Sequence, residues 1–280
     1  MKYTNYMSFM ADFYKHGLEW AVSHTAEMGF GAVEILVESI DNPPFATVED
    51  AKAARELLAS FGLTVSCYSV AANLTGADRE IVIEKMLQQV DMAAAFESPY
   101  LHHTLFPVLR IDENFPEYDD VLPLALDGAQ RIASYAGKYG ITCLYEPQGM
   151  YFNGVDGLGK FYSEIKKRVS NVGICGDTGN SMFVDVDPLE IFKKFSGDIK
   201  HLHVKNYRFS TSQIFHPSAR CTKGGNYIAY AEAHDGYVDI EACFEQIKGY
   251  LGNISFEIAV PDDELLRTKE YAALLAEKYF

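Results

Sequence analysis

Eight short β-rich runs recur along this chain about every 30 residues, and that regularity limits the fold more than any other feature. The runs are YMSFM (6–10), AVEIL (32–36), TVSCYSV (64–70), YLHHTLF (100–106), ITCLYEP (141–147), VGICGD (172–177), KHLHVKN (200–206) and ISFEIA (254–259). Amphipathic segments such as LEWAVSHTAEMG (18–29), VEDAKAARELLASFG (48–62) and LDGAQRIASYAGKYG (126–140) lie between them, each closing near a glycine, a common helix stop. Strand, helix and strand in this order build right-handed βαβ units and a parallel sheet. Eight such units in 280 residues predict an α/β fold, a single (β/α)8 TIM barrel spanning residues 1–280 as one domain. An open doubly wound sheet fits less well, because no GxGxxG follows the first run. No low-complexity tract or polar linker divides the chain.

The charge balance excludes one class of partner. With 39 acidic and 24 basic residues the net charge is −15, which repels polyanions, and no basic stripe offsets it, so nucleic acid is not an expected partner. The N-terminal MKYTNYMSFM lacks a basic region followed by an apolar one, and no run approaches the ~18 apolar residues of a membrane span. A cytoplasmic protein with no membrane partner is expected. Five cysteines without a CxxC pair read as small buried hydrophobes in a reducing compartment.

In a barrel of this kind chemistry sits at the carboxyl ends of the strands. The run ITCLYEPQG (141–149) ends there in Glu146, a carboxylate whose burial costs several kcal/mol without a partner. Polar residues at the corresponding ends of other runs supply candidates: His102 and His103 on the fourth, Asp177 on the sixth, His201, His203 and Lys205 on the seventh, and Glu257 on the eighth. Strand side chains alternate, so His201, His203 and Lys205 share a face. If that face looks into the barrel mouth, Glu146, Asp177, one histidine and Glu257 converge. This mixed oxygen and nitrogen set suits one divalent metal ion, Mn²⁺ first, with Co²⁺, Mg²⁺ or Zn²⁺ as alternatives.

The motifs GFGAVEI, YEPQG, GDTGN, HLHVKN and GYVDIEACFEQIKGYLGNISFEI, in this order through nearly the whole chain, resemble the xylose-isomerase-like TIM-barrel superfamily of sugar isomerases, epimerases and inosose dehydratases, which includes endonuclease IV. The resemblance implies that Glu146, Asp177, His203 and Glu257 hold the metal. It favours His203 over His201 and leaves His201 behind the ligands or facing substrate. It also implies a homo-oligomer. Two departures stand out. The epimerases commonly carry a histidine three residues after the aspartate of strand six, where this chain has Asn180, which can hydrogen-bond a hydroxyl but cannot donate a proton near neutral pH. Endonuclease IV uses that histidine and another on strand three, where this chain reads CYSV, so hydrolysis of a DNA backbone is disfavoured by ligands as well as by charge.

The expected function is a divalent-metal-dependent isomerase or epimerase of a ketose or related polyol, working through a metal-stabilised enediolate with Glu146 and Glu257 as the proton-transfer pair. A dehydratase or lyase on the same scaffold is the alternative; an endonuclease IV-like hydrolase and a non-catalytic sugar-binding barrel rank below it. Substrate contacts are expected from His102 or His103, whichever points inward, and from Asn180, His201, Lys205 and Arg208. Arg208 opens a stretch of about 30 residues with no strong periodicity, which reads as a binding loop. Arg220 and Lys223 on it could meet a phosphate or carboxylate, or be surface cations. His234 and Asp235 read as a turn rather than a second metal site. Glu34 could face substrate or form a buried ion pair.

Overall fold

The structure is a computed structural model that describes residues 2–108 and 114–280. Eight parallel strands close into a barrel: β1 (Tyr3–Asn5), β2 (Ala32–Val37), β3 (Thr64–Val70), β4 (Tyr100–His103), β5 (Thr142–Tyr145), β6 (Val172–Asp177), β7 (Ile199–Val204) and β11 (Ile254–Phe256), with β11 pairing both β7 and β1. Helices α1 (Met7–His16), α2 (Leu18–Glu27), α3 (Val48–Ser60), α4 (Arg79–Ala95), α5 (Tyr118–Ala136), α6 (Val155–Ile165), α7 (Pro188–Phe195), α8 (Ile240–Glu245) and α9 (Asp262–Tyr279) surround it. The starts of several helices follow from the sequence. Thr47 and Asp50 bond each other's backbone N–H at the start of α3, and Asp187 and Asp239 cap α7 and α8.

The first strand is not at residues 6–10. It is the three residues before them, because Asn5 Oδ1 accepts the Phe9 N–H at 3.0 Å and turns the chain into α1. That helix buries Phe9 and Met10, apolar residues of the run that reads as a strand.

The greater part of the core lies between barrel and helices, where outward strand residues such as Ile35, Tyr68, Leu101, Tyr145, Ile174, Leu202 and Phe256 are buried. Inward residues fill the barrel. Cys67, Leu144 and Cys175 pack together toward its amino end, with Tyr100 against them, and the polar groups follow toward the carboxyl end.

Residues 206–231 are also not the patternless loop the sequence suggests. They form an antiparallel sheet in the order β8 (Asn206–Ser210), β10 (Tyr227–Ala231), β9 (Arg220–Cys221), set in the connection between β7 and α8. The sheet is fastened on two sides. Asp185 accepts bonds from Thr222 Oγ1 (2.6 Å), Asn226 Nδ2 (2.8 Å) and the Gly224 N–H (2.6 Å), while Tyr230 donates to Glu264 (2.5 Å) and Arg267 bridges to Glu232 (3.1 Å) from α9. No helix among the described residues is long and apolar enough to cross a membrane.

Candidate metal centre

Register sets the height of the polar groups. Asp177 lies beside His203 and His203 beside Ser255 in the parallel ladder, so the residues that follow on β11 and β7, Glu257 and Lys205, rise to the barrel mouth together. Alternation then turns His201, His203 and Lys205 inward and Leu202 and Val204 out to the helices.

Glu34 occupies the middle of the barrel. Completely buried, its carboxylate accepts from Ser69 Oγ (2.5 Å) and Ser255 Oγ (2.6 Å) and lies 2.9 Å from His201 Nε2 and 3.0 Å from His203 Nε2. Burial would raise its pKa, but the two histidines hold it well below the usual carboxylate range. Four hydrogen bonds to one carboxylate make Glu34 a buried anchor rather than a group facing substrate. They also place a proton on His203 Nε2, while the other ring nitrogen, Nδ1, faces the mouth.

Around that nitrogen stand the remaining groups. Glu146 Oε2 is 3.0 Å and Glu257 Oε2 3.1 Å from His203 Nδ1. Lys205 Nζ lies 2.7 Å from the same Glu257 oxygen and 3.1 Å from Asp177 Oδ2. Asp177 Oδ1 accepts the N–H groups of Gly179 (2.8 Å) and Asn180 (2.5 Å), which fixes the carboxylate and leaves Oδ2 without an aligned hydrogen bond among the described residues. A side chain at position 179 would strike Tyr207 and Lys205, so the turn GDTGN needs its glycine for this close approach.

Burial raises the Asp177 pKa to about 7, with Lys205 opposing and Glu257 and Glu146 adding to the rise. Burial would lift Glu146 too, but His102 and His203 hold it well below the carboxylate range; Lys205 and His203 likewise hold Glu257 down against burial. For His203, burial lowers and the neighbouring Cys175 and Glu34 raise, with a net rise well above 6.5. Because burial pushes the Cys175 thiol itself up to about 12, that thiol is uncharged near neutral pH and the carboxylates carry the effect.

The ligand atoms of Glu146, Asp177, His203 and Glu257 all lie within 4.8 Å of one another. Three carboxylates and an imidazole aimed into one small buried volume fit a divalent cation. Such an ion would displace protons from His203 Nδ1 and Asp177.

The other expected residues divide. His102 points inward, with Nε2 3.3 Å from Glu146 Oε1 and Nδ1 3.2 Å from Ser69 Oγ. His103 points outward, its ring edge-on to Tyr145, and is not brought to the site. His201 is fully buried beneath His203 and bonded to Glu34. Asn180 is buried with its side-chain Nδ2 unpartnered among the described residues. Arg208 is exposed on β8, opposite Ala229. His234 is exposed, 3.6 Å from Glu232, in a turn.

One group escaped the sequence reading, and another takes a place that the sequence left open. Tyr6, directly after β1, is buried against the His203 ring at 5.2 Å; it lies inside what reads as an apolar strand, so nothing marks it as polar. Arg220 lines a cavity of about 470 Å³ that opens over the site, together with Lys205, Glu257, Phe183, Tyr207, Tyr230 and His216. That volume falls in the usual range for small-molecule pockets.

Comparison with known proteins agrees with the barrel fold. The family model described as Xylose isomerase-like TIM barrel matches residues 22–278. An inosose dehydratase of Clostridium botulinum (strain Alaska E43 / Type E3) is 26% identical over 153 residues, 53% of this chain; the match spans 50% of that relative's length. Among solved structures, D-psicose 3-epimerase with D-tagatose from Clostridium cellulolyticum H10 superposes with a TM-score of 0.75 at 13% identity, over 98% of this chain and 99% of the other. The IOLI protein with a bound zinc atom does so with a TM-score of 0.75 at 15% identity, over 100% and 99%.

Proposed function

The chain belongs to the xylose isomerase-like TIM barrel family, and from that premise we propose that it is a divalent-metal-dependent isomerase or epimerase of a ketose or related polyol. The observation that carries this reading is the convergence of Glu146 and Glu257, from two different strand ends, on one imidazole nitrogen at 3.0 and 3.1 Å. A divalent ion held by Glu146, Asp177, His203 and Glu257, with Mn²⁺ the first choice, would polarise the substrate carbonyl and acidify the neighbouring C–H.

The chain's own groups do the rest. Glu146 and Glu257 take the proton from one face and return it to the other, each step contributing about 10²–10⁴-fold. His102 steadies Glu146 from the side, and Glu34 holds His203 from below. Phe183, Tyr207 and Tyr230 wall the cavity and limit water.

Removal of water is the second reading, favoured by Lys205. Its ammonium faces the cavity 2.7 Å from Glu257, placed to donate a proton to a departing β-hydroxyl. Inosose dehydratase activity in the C. botulinum relative supports keeping it.

Two measurements test the proposal. Metal analysis by inductively coupled plasma mass spectrometry, after exposure to Mn²⁺, Co²⁺, Mg²⁺ and Zn²⁺, is expected to find one ion per chain, lost in Glu257→Gln. Solvent deuterium is expected beside the carbonyl of a turned-over ketose or inosose, and Glu146→Gln and Glu257→Gln should each abolish it. Exchange that persists in both variants would refute the pair.

A further inference from the structure

The reaction proposed above uses the floor of the 470 Å³ cavity, Lys205 and Glu257, but gives its rim no task. We propose that the rim, Arg220 with His216, is a subsite for an anionic group on the substrate, a carboxylate or a phosphate, so that the substrate is an acidic polyol rather than a neutral sugar. This inference deepens the proposed function and rests on it.

Arg55, Arg79, Arg131 and Arg267 each pair with a carboxylate. In a chain of net charge −15, among the described arginines Arg168, Arg208 and Arg220 have no carboxylate within 4.0 Å, and of these three it is Arg220 that lines the cavity. Its Nη1 donates to the carbonyls of Ala219 (2.9 Å) and Pro217 (3.4 Å). Those bonds hold the guanidinium by one nitrogen and leave the Nε and Nη2 edge, the fork that meets a carboxylate or phosphate with two parallel bonds.

His216 adds a donor whose tautomer the surroundings decide. Nδ1 accepts the Ser218 N–H (3.2 Å) and faces Ser218 Oγ at 2.7 Å, while that hydroxyl oxygen accepts the Tyr230 N–H at 2.8 Å. Nδ1 therefore carries the lone pair and the ring proton sits on Nε2, free to donate.

The cavity thus runs from an acidic, ion-binding floor past the aromatic walls Phe183, Tyr207 and Tyr230 to a cationic rim. In a protein whose overall field repels anions, a cation with no acidic partner at a cavity edge provides local attraction where one negative group must be received. A neutral sugar would leave the fork to water alone.

The test is calorimetric titration of the metal-loaded protein with D-glucitol, D-gluconate and D-glucitol 6-phosphate. One acidic probe is expected to bind at least about tenfold tighter than D-glucitol, as one charge-assisted bidentate contact warrants. Which probe it is tells carboxylate from phosphate. Arg220→Ala should bring that probe to within about twofold of D-glucitol, and Arg220→Lys should retain part of the preference, because charge survives but the fork does not. Arg168→Ala, at the other end of the barrel, should keep it. Equal binding of all three probes, a preference that survives Arg220→Ala, or one lost in Arg208→Ala instead would overturn the subsite. Metal content of the same samples separates the failures. With an ion bound and no preference, only the subsite is wrong; with no ion bound, the proposed function falls as well.

Discussion

At the scale of single residues, the site depends on a carboxylate that cannot reach substrate. Glu34 accepts from two hydroxyls and two imidazoles in the barrel interior. Glu34→Gln is expected to weaken divalent-ion binding by about 10–100-fold, the usual loss when the partner of a ligating histidine is changed, measured by titration with Mn²⁺. Glu34→Ala, which leaves buried donors unpaired, should also destabilise the fold by about 3–5 kcal/mol in a denaturant titration. His103 makes a separate prediction. Burial pushes its pKa down to about 4, with a backbone bond to Thr104 opposing. Between pH 6.5 and 4 the unfolded chain then binds a proton that the folded one refuses. The stability that neutral His103 contributes is complete above pH 6.5 and is lost as pH falls toward 4, by about 3 kcal/mol at most. His103→Gln should flatten that part of the stability profile. Glu146, Asp177, His203 and Glu257 were all legible as candidate ligands because strand ends are predictable places. Glu34 stayed open between substrate and a buried ion pair, since its four partners come from β3, β7 and β11 and only closure of the ring brings them near. The inward choice between His102 and His103 likewise hung on one residue of register.

At the scale of elements, the inserted sheet of β8, β10 and β9 decides how the mouth is shaped. Asp185 is its clasp, held at a φ of 59° with three bonds to residues 222–226. Asp185→Ala should loosen that corner by about 1–3 kcal/mol. Hydrogen exchange should accelerate in residues 220–231 while the barrel strands keep their protection; equal acceleration in both would mean that the clasp supports the whole fold. This sheet was missed because its strands are short, 5, 2 and 5 residues, and half-exposed, so Tyr207, Arg208 and Phe209 alternate too briefly to stand out from a loop. The first strand was misplaced for a related reason. Thr4 and Asn5 are completely buried, yet they are polar, and the neighbouring apolar run belongs to α1. Seven of the eight barrel runs in the sequence overlap the observed strands, because each is an apolar stretch bounded by turn residues.

At the scale of the whole molecule, three acidic side chains and an imidazole converge in a small volume, and an ion that binds only the folded chain must stabilise it. Mn²⁺ at 100 times its dissociation constant should add about 2.7 kcal/mol, which for a chain of 280 residues raises the Tm by about 5 °C. Scanning calorimetry with and without chelator checks this, and an unchanged Tm would count against the centre. Barrel closure itself was legible in the alternation of strand and helix, since eight parallel strands with helical crossovers have few other ways to satisfy both edges. His203 stands on β7 while the carboxylate that holds its Nε2 stands on β2, with the β11 and β1 strands between them on one side of the ring. Ion capture is therefore a clock for refolding. A chain diluted out of denaturant should regain its helical signal before it regains tight Mn²⁺ binding, because an unclosed sheet would present the ligands of β5, β6 and β7 with an imidazole still free to turn.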